Sequence, residues 1–373
     1  MKIDVLQIVD GQVGGEPIAA LGINKSAQIQ GIKSYLIFFV KNDSSHGRKI
    51  SKYDKNIIKI KLCNIKIFNL FVIYAVLNRL IKKTSLIHIH GVWPIYSVMS
   101  LLICSKLNKN FLISPHGCLE KWSLNNKKVK KKIGLLILKK FLKSAKCFFV
   151  TSGDEAQSVI RVIGDTANIV KHKLGVETPC VPRSLESYKK KCILFVSRVH
   201  PKKGVDRLIK AFIKIEKNDW NLKIAGPSEP SYLMSLKKIV SKYRYQETIE
   251  FLGPLEKTEI NHLYSNSSFL ALPTHSENFG FVIAESLAFK LPVLTTLDAP
   301  WNEINEFTCG YCVENNQGTL EKYMKIMMKL SPEELRNMGK HGEELIKERY
   351  TWGIATKNIT NSYKLMLNEM ERI

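Results

Sequence analysis

The sequence predicts an α/β protein of two Rossmann-like, doubly wound parallel-sheet domains that face a cleft. Three observations predict it. Short apolar runs alternate with amphipathic stretches, the βα pattern of a parallel sheet. That pattern stops at a polar segment, Glu177 to Lys191, and then restarts. The chain, at 373 residues, is also too long for one core of ordinary size. The expected domains are 1–180 and 188–352, with a C-terminal helix of about 353–373 packing back on the first.

The elements follow in order. Ile3 to Val9 is a buried strand ending in the loop Asp10-Gly11-Gln12-Val13-Gly14-Gly15. A helix from about Glu16 to Gln30 leads to a strand from Ser34 to Val40. Leu86 to His90 is a strand, followed by Gly91 and a helix through Leu107. Phe111 to Ser114 ends at Pro115-His116-Gly117, and Cys147 to Thr151 closes the first series. In the second, Cys192 to Ser197, Asn221 to Ala225, Ile249 to Leu252, Phe269 to Leu272 and Leu291 to Thr295 read as strands. Helices are expected over Val205 to Ile215 and Phe281 to Phe289. Ligands of such sheets sit beyond the carboxyl ends of the strands, so the informative residues are those just after them.

Composition narrows the class. Apolar residues make up 45% and charged residues 24%, a globular balance. No apolar run reaches the ~18 residues that span a bilayer. The longest, Ile67 to Leu77, is broken by Asn69 and closed by Asn78 and Arg79. Asp4 stands where a signal peptide needs apolar residues, so a cytoplasmic location is expected. Eight cysteines are scattered, and the one CxxC, Cys309 and Cys312, has no second pair to complete a zinc site. The net charge of +24 is uneven: residues 1–184 carry 30 Lys and Arg against 10 Asp and Glu, residues 185–373 carry 27 against 23. The front half therefore attracts anions, whether nucleic acid, an anionic membrane or a phosphate-rich substrate. A solvated lysine-rich surface is the plainer alternative.

The strongest chemical signal runs from Thr274 to Glu285. A strand ends at Leu272-Pro273, a polar loop follows, and a helix begins near Gly280. A glycine there lets backbone N–H groups approach a ligand, and the helix amino terminus favours negative charge. Glu277 and Glu285 can accept hydrogen bonds from sugar or ribose hydroxyls. The second signal is Ser197-Arg198-Val199-His200-Pro201-Lys202-Lys203-Gly204. Arg198 suits a bidentate phosphate contact and Lys203 adds a point charge. Asp-x-Asp occurs nowhere, so a diphosphate here would be met by these cations instead of an Asp-held metal ion.

Ser-Arg-x-x-x-x-Lys-Gly, followed by Ser-Glu-Asn-Phe-Gly and the E-x7-E spacing, resembles the GT-B glycosyltransferases of family 4. These are retaining enzymes that use a nucleotide diphosphate sugar and need no metal. The resemblance covers nearly the whole chain. It implies that Arg198 and Lys203 bind the diphosphate, that Glu285 holds the ribose, and that Glu277 contacts the donor sugar or phosphate. The backbone of Asn278, Phe279 and Gly280 would face the same groups. Gly14 and Gly15 match the family's glycine loop, Gly253 its base-binding loop, and His116 the histidine set against the donor sugar near the reacting carbon. Ala299-Pro300-Trp301 and Phe307 to Tyr311 resemble a branch that builds bacterial surface polysaccharides, including lipopolysaccharide O-antigen. At the domain junction this chain reads Lys173-Leu174-Gly175-Val176 where members often carry Asn-Gly-Val.

Other residues have two readings. His88 and His90 alternate on one strand and, with His116, suit either a metal or ordinary site lining. Trp93, Glu120 and Trp122 suit an acceptor shelf, and core packing is the alternative for either tryptophan. The stretch Asn126 to Lys146 interleaves nine lysines with apolar residues. Such a helix either packs its stripe on the sheet or lies on anionic lipid. The expected acceptor is a lipid-linked oligosaccharide at the inner face of the cytoplasmic membrane. Competing readings are another GT-B enzyme, such as a sugar-nucleotide epimerase, and a basic nucleic-acid-binding protein. The second lacks interleaved exposed aromatics and leaves the Arg198 and Glu277 loops unexplained.

Overall fold

The computed structural model describes residues 3–10, 14–41, 56–62, 66–125, 128–179, 184–215 and 219–371. Gly11, Gln12 and Val13 of the first loop, Cys63, Cys180, Asn126 and Lys127 lie outside these residues. The chain forms two units, one of residues 1–175 with 352–373, the other of residues 176–351.

The first unit is a parallel seven-stranded sheet. In chain order it runs β1 (Ile3–Asp10), α1 (Gly15–Ile29), β2 (Ser34–Lys41), β3 (Ile57–Leu62), α2 (Lys66–Lys82), β4 (Thr84–His90) and α3 (Ile95–Lys106). It continues with β5 (Asn110–Ser114), α4 (Lys121–Asn125), α5 (Lys128–Lys143), β6 (Cys147–Val150), α6 (Gly153–Ile163) and β7 (Ile169–Lys171). The spatial order is β3-β2-β1-β4-β5-β6-β7. Strand order reverses between β1 and β4, so the loops after those two strands flank the natural ligand crevice of this sheet. Val5, Leu6, Ile8 and Val9 of β1 are fully buried because helices cover both faces.

Two strands here are not read from the sequence. In β3 the lysines Lys59 and Lys61 interrupt a half-buried edge strand, and β7 has only 3 residues, too few for a pattern. The long apolar run becomes α2, which buries Ile73, Leu77 and Ile81 at helical spacing.

The second unit contains β8 (Cys192–Val196), α7 (Val205–Lys214), β9 (Asn221–Ala225), α8 (Pro230–Lys242), β10 (Ile249–Gly253), α9 (Lys257–Ser265) and β11 (Phe269–Leu272). After these come α10 (Phe281–Ala288), β12 (Val293–Thr296), α11 (Glu303–Glu306), β13 (Gly310–Val313), α12 (Gln317–Lys329) and α13 (Pro332–Arg349). Its six parallel strands run β10-β9-β8-β11-β12-β13, with the reversal between β8 and β11. The β13 edge is a further strand missed in the sequence. The Asn305 side chain donates to the Cys312 carbonyl and accepts its N–H, both at 2.9 Å, and so stands in for a neighbouring strand.

The chain then returns to the first unit through α14 (Trp352–Ala355) and α15 (Lys357–Glu371). Gly175 meets this return directly: a Cβ there would stand 2.5 Å from the Trp352 Cα. The Trp352 ring fills the space over Gly22 of α1, where a Cβ would overlap it. Small residues at 22 and 175 are thus what lets the carboxyl-terminal segment dock.

Candidate functional site

In the second unit both signal loops fall at the strand reversal, one after β8 and one after β11. They are sewn together by backbone. His275 N–H donates to the Lys202 carbonyl at 2.8 Å, and Thr274 Oγ1 donates to the same oxygen at 3.2 Å. Gly204 makes this crossing possible: its φ is +69° and a Cβ would overlap the Pro273 carbonyl oxygen. The Arg207 guanidinium donates to that same oxygen at 2.6 Å.

The crossing brings Lys203 and Glu277 together as an ion pair, with the side chains only 11% and 13% exposed. Glu277 is held from behind as well, its N–H donating to the Asp298 carbonyl at 3.0 Å. Arg198 on the same loop as Lys203 is exposed. Asn278 is half-buried, and Phe279 is buried against Trp301 and Tyr350, ring centroids 5.5 and 6.0 Å away. The Trp301 indole N–H donates to the Phe279 carbonyl. Gly280 then opens α10 in the left-handed region, φ 82°, with Glu277 Cγ 3.5 Å from where its Cβ would be. Phe279 is thus the peg that fixes where the loop ends.

Glu285 lies further along α10, away from that ion pair. Its carboxylate accepts from the Tyr264 hydroxyl of α9 at 3.1 Å, and burial pushes its carboxyl above the usual range. Gly253 ends β10 with φ +69°, its carbonyl accepting from Gly226 N–H at 2.8 Å, and a Cβ there would meet nothing within 4 Å.

In the first unit, Gly14 is exposed with extended backbone and Gly15 begins α1. Glu16 turns its carboxyl inward, where burial and the charge of Asp10 push it up to about 7. Gly91 (φ +74°) leaves it room, since a Cβ there would be 2.9 Å from Glu16 Oε1. His116 follows β5 with φ 52°. The next N–H, of Gly117, donates to Glu155 Oε1 at 2.8 Å, while Glu155 Oε2 accepts from the Thr151 N–H and hydroxyl at 2.8 and 3.0 Å.

The histidines are wired to one another and to the core. His88 bonds the Tyr363 hydroxyl of α15 on one side and Ser114 Oγ at 2.8 Å on the other. His90 bonds His116 Nε2 at 2.8 Å and Gln7 Oε1 at 3.0 Å. All four ring nitrogens of His88 and His90 are therefore engaged in hydrogen bonds with other side chains. Among the described residues no group of three or more His, Cys, Asp or Glu is placed to hold a metal ion. Cys309 and Cys312 are buried thiols that burial pushes up to about 12.

Of the shelf residues, Trp93 is half-buried, donating to the Cys118 carbonyl at 3.0 Å and lying 3.2 Å from where a Gly134 Cβ would stand. Lys131 Nζ sits 5.3 Å from its ring centroid. Glu120 is half-buried, its N–H donating to the Gly117 carbonyl, and Trp122 is 42% exposed. Helix α5 buries Leu138 and Leu142 but leaves Val129, Ile133, Leu136 and Ile137 more than half exposed among lysines. On α2, Phe68 and Phe71 are likewise exposed, and α3 packs against both helices. No helix among the described residues is long and apolar enough to cross a membrane.

The sequence reading missed Gln7 and Glu155. The signal for Gln7 was a polar residue in the middle of the apolar run Val5 to Val9. Glu155 was legible only as the end of a Ser-x-x-Glu capping box. Ser152 does cap its N–H at 3.1 Å, but its carboxylate is diverted to the His116 turn instead of closing the box as Glu334 does on Ser331.

Two doubly wound units, each with its loops at a strand reversal and a basic, glycine-shaped loop pair in the second, define a GT-B architecture. Comparisons with known proteins agree. Residues 181–345 match the family "Glycosyl transferases group 1" and residues 36–178 match "Glycosyltransferase Family 4". The chain belongs to the GT-B glycosyltransferases of family 4. An uncharacterized glycosyltransferase of Methanocaldococcus jannaschii is 31% identical over 174 residues, 46% of this chain and 47% of that protein. The capsular polysaccharide biosynthesis glycosyltransferase CapM of Staphylococcus aureus is 24% identical over 192 residues, 48% of this chain and 47% of that one. The chain thus aligns with about half the length of these relatives. Anabaena HepE, solved in complex with UDP and glucose, superposes with a TM-score of 0.79 at 14% identity, covering 97% of this chain and 100% of that one.

Proposed function

We propose that this protein is a retaining glycosyltransferase that moves a sugar from a nucleotide diphosphate sugar to a lipid-linked glycan acceptor in surface-polysaccharide synthesis. The observation that carries the reading is the loop pair of the second unit, where exposed Arg198, the Lys203–Glu277 pair and the amino terminus of α10 flank one strand reversal. A leaving nucleoside diphosphate needs its developing charge met by fixed groups, and a guanidinium, an ammonium and a helix amino terminus supply that without reorganisation. In this reading the diphosphate draws Lys203 from Glu277, freeing that carboxylate to accept from sugar hydroxyls. Asn278, Phe279 and Gly280 offer backbone beside it, Glu285 takes the ribose, and Gly253 adjoins the base. His116, with Gly14 and Gly15, is the first unit's contact with the transferring sugar. The UDP and glucose bound by HepE, a protein of like fold, support a nucleotide sugar as donor.

The acceptor side rests on charge and exposure. The exposed apolar residues of α5, set among lysines, together with exposed Phe68 and Phe71 of α2, suit docking on an anionic bilayer at its cytoplasmic face, with Trp93, Glu120 and Trp122 nearest the acceptor glycan. CapM, named for capsular polysaccharide biosynthesis, supports that pathway class. Turnover of UDP-, GDP- and ADP-sugars with polyprenyl-diphosphate-linked acceptors tests the reading. An anomer-retaining product from one donor is expected, and an inverted product or epimerised donor without transfer would contradict it.

A further inference from the structure

The polar groups behind His116 form a directed chain. The Gln7 amide N–H₂ donates to Asn24 Oδ1 at 3.4 Å and Ser34 Oγ at 3.2 Å, and Ser34 Oγ donates to Asn24 Oδ1 at 2.7 Å. That orients the Gln7 carbonyl oxygen at His90 Nε2, 3.0 Å away. An oxygen there accepts, so His90 carries its proton on Nε2 and presents a lone pair at Nδ1. Among the described residues the atom that bonds at Nδ1 is His116 Nε2, at 2.8 Å, which is therefore the donor. The two rings lie within 9° of parallel, as a bond between their edges allows. It follows that His116 has its proton on Nε2 and a bare Nδ1. Gln7, Asn24, Ser34 and His90 are all at most 1% exposed, so water does not compete for these bonds.

We infer that His90, anchored by Gln7, is a positioning residue that fixes His116 as the Nε2–H tautomer, leaving Nδ1 as a hydrogen-bond acceptor for a hydroxyl of the bound sugar. Burial keeps both rings neutral, His116 down to about 3 and His90 well below the usual imidazole range, so the chain is not reset by ordinary pH. Glu155 holds the backbone of the same turn, so His90 fixes the ring and Glu155 the main chain. The inference rests on His116 meeting sugar, as proposed above.

Long-range ¹H–¹⁵N spectra of histidine-labelled protein test it, read beside kcat and nucleotide affinity. In the wild type, His116 should show a protonated Nε2 and a bare Nδ1. In His90→Asn the amide oxygen replaces the lone pair, so the tautomer and most of kcat should survive. In His90→Leu the tautomer should become mixed, with kcat reduced on the order of 10- to 100-fold, as for groups that orient active-site histidines. Nucleotide affinity, a property of the second unit, should be unchanged in both. An Nδ1–H His116 in the wild type, or an unaltered tautomer in His90→Leu, would overturn the inference. Absence of sugar transfer by the wild type would instead strike the proposed function and leave the tautomer reading to its own spectrum.

Discussion

Lys203 and Glu277, 74 residues apart in the chain, form an ion pair between two loops that cross at the strand reversal of the second unit. Removing one partner of a buried pair strands the other charge. Lys203→Met should therefore lose about 3 kcal/mol of stability as well as activity. Adding Glu277→Gln should restore most of that stability but none of the activity. Urea unfolding and turnover of the three variants separate the two effects, and a double variant no more stable than Lys203→Met would refute the pairing argument.

Gly204 belongs to the same crossing. Alanine there must adopt φ +69° and overlap the Pro273 carbonyl, so Gly204→Ala should destabilise by about 1–3 kcal/mol. Gly253 also has φ +69° but open space at its Cβ position, so Gly253→Ala should cost less. Melting temperatures of the two variants compare them, and equal losses would mean the crossing adds nothing.

Much of this was legible in the sequence, and the boundary is physical. The strand ends carrying Arg198, Glu277 and His116 announce themselves through apolar runs that stop at polar residues. The short edge strands β3, β7 and β13 do not, because edge exposure or brevity erases the period. That Gly204 serves the close approach of two loops, with Lys203 and Glu277 paired to each other, depends on contacts across 70 residues and more that no local pattern encodes. His90 illustrates the same limit. Its spacing from His88 says nothing of Gln7 and His116, 83 and 26 residues away, which its two ring nitrogens bond.

Glu155 gives a pH signature. Burial raises its carboxyl from 4.5 to about 7. Between those values the folded protein keeps a proton that the unfolded chain has lost, so this group's contribution to stability falls as pH rises from about 4.5 to 7. Both of its oxygens accept from backbone N–H groups, so the amide of Glu155→Gln must leave one unsatisfied, at about 1–3 kcal/mol. That deficit should be larger at pH 5 than at pH 7.5. Denaturant unfolding at the two pH values checks the sign, and a deficit growing with pH would contradict it.

The lysine-flanked face of α5 should bind vesicles containing anionic lipid and release them as salt rises, since exposed charges are screened within about 10 Å at 0.1 M. Removing the charges of Lys130, Lys131 and Lys132 should weaken binding, and Leu136→Ser with Ile137→Ser should weaken it further at high salt. Flotation assays read both. Salt-independent binding, or none, would remove the membrane from the proposed function.

The most direct test of the central claim is a calorimetric titration with UDP, GDP, ADP and a short single-stranded DNA, on the wild type and Arg198→Ala. The account expects one nucleoside diphosphate to bind selectively, with Arg198→Ala weakening it and lowering turnover by about 2–4 kcal/mol in barrier. Tight, salt-sensitive DNA binding without nucleotide selectivity, unchanged in Arg198→Ala, would contradict it and make the charge of the first half the functional feature.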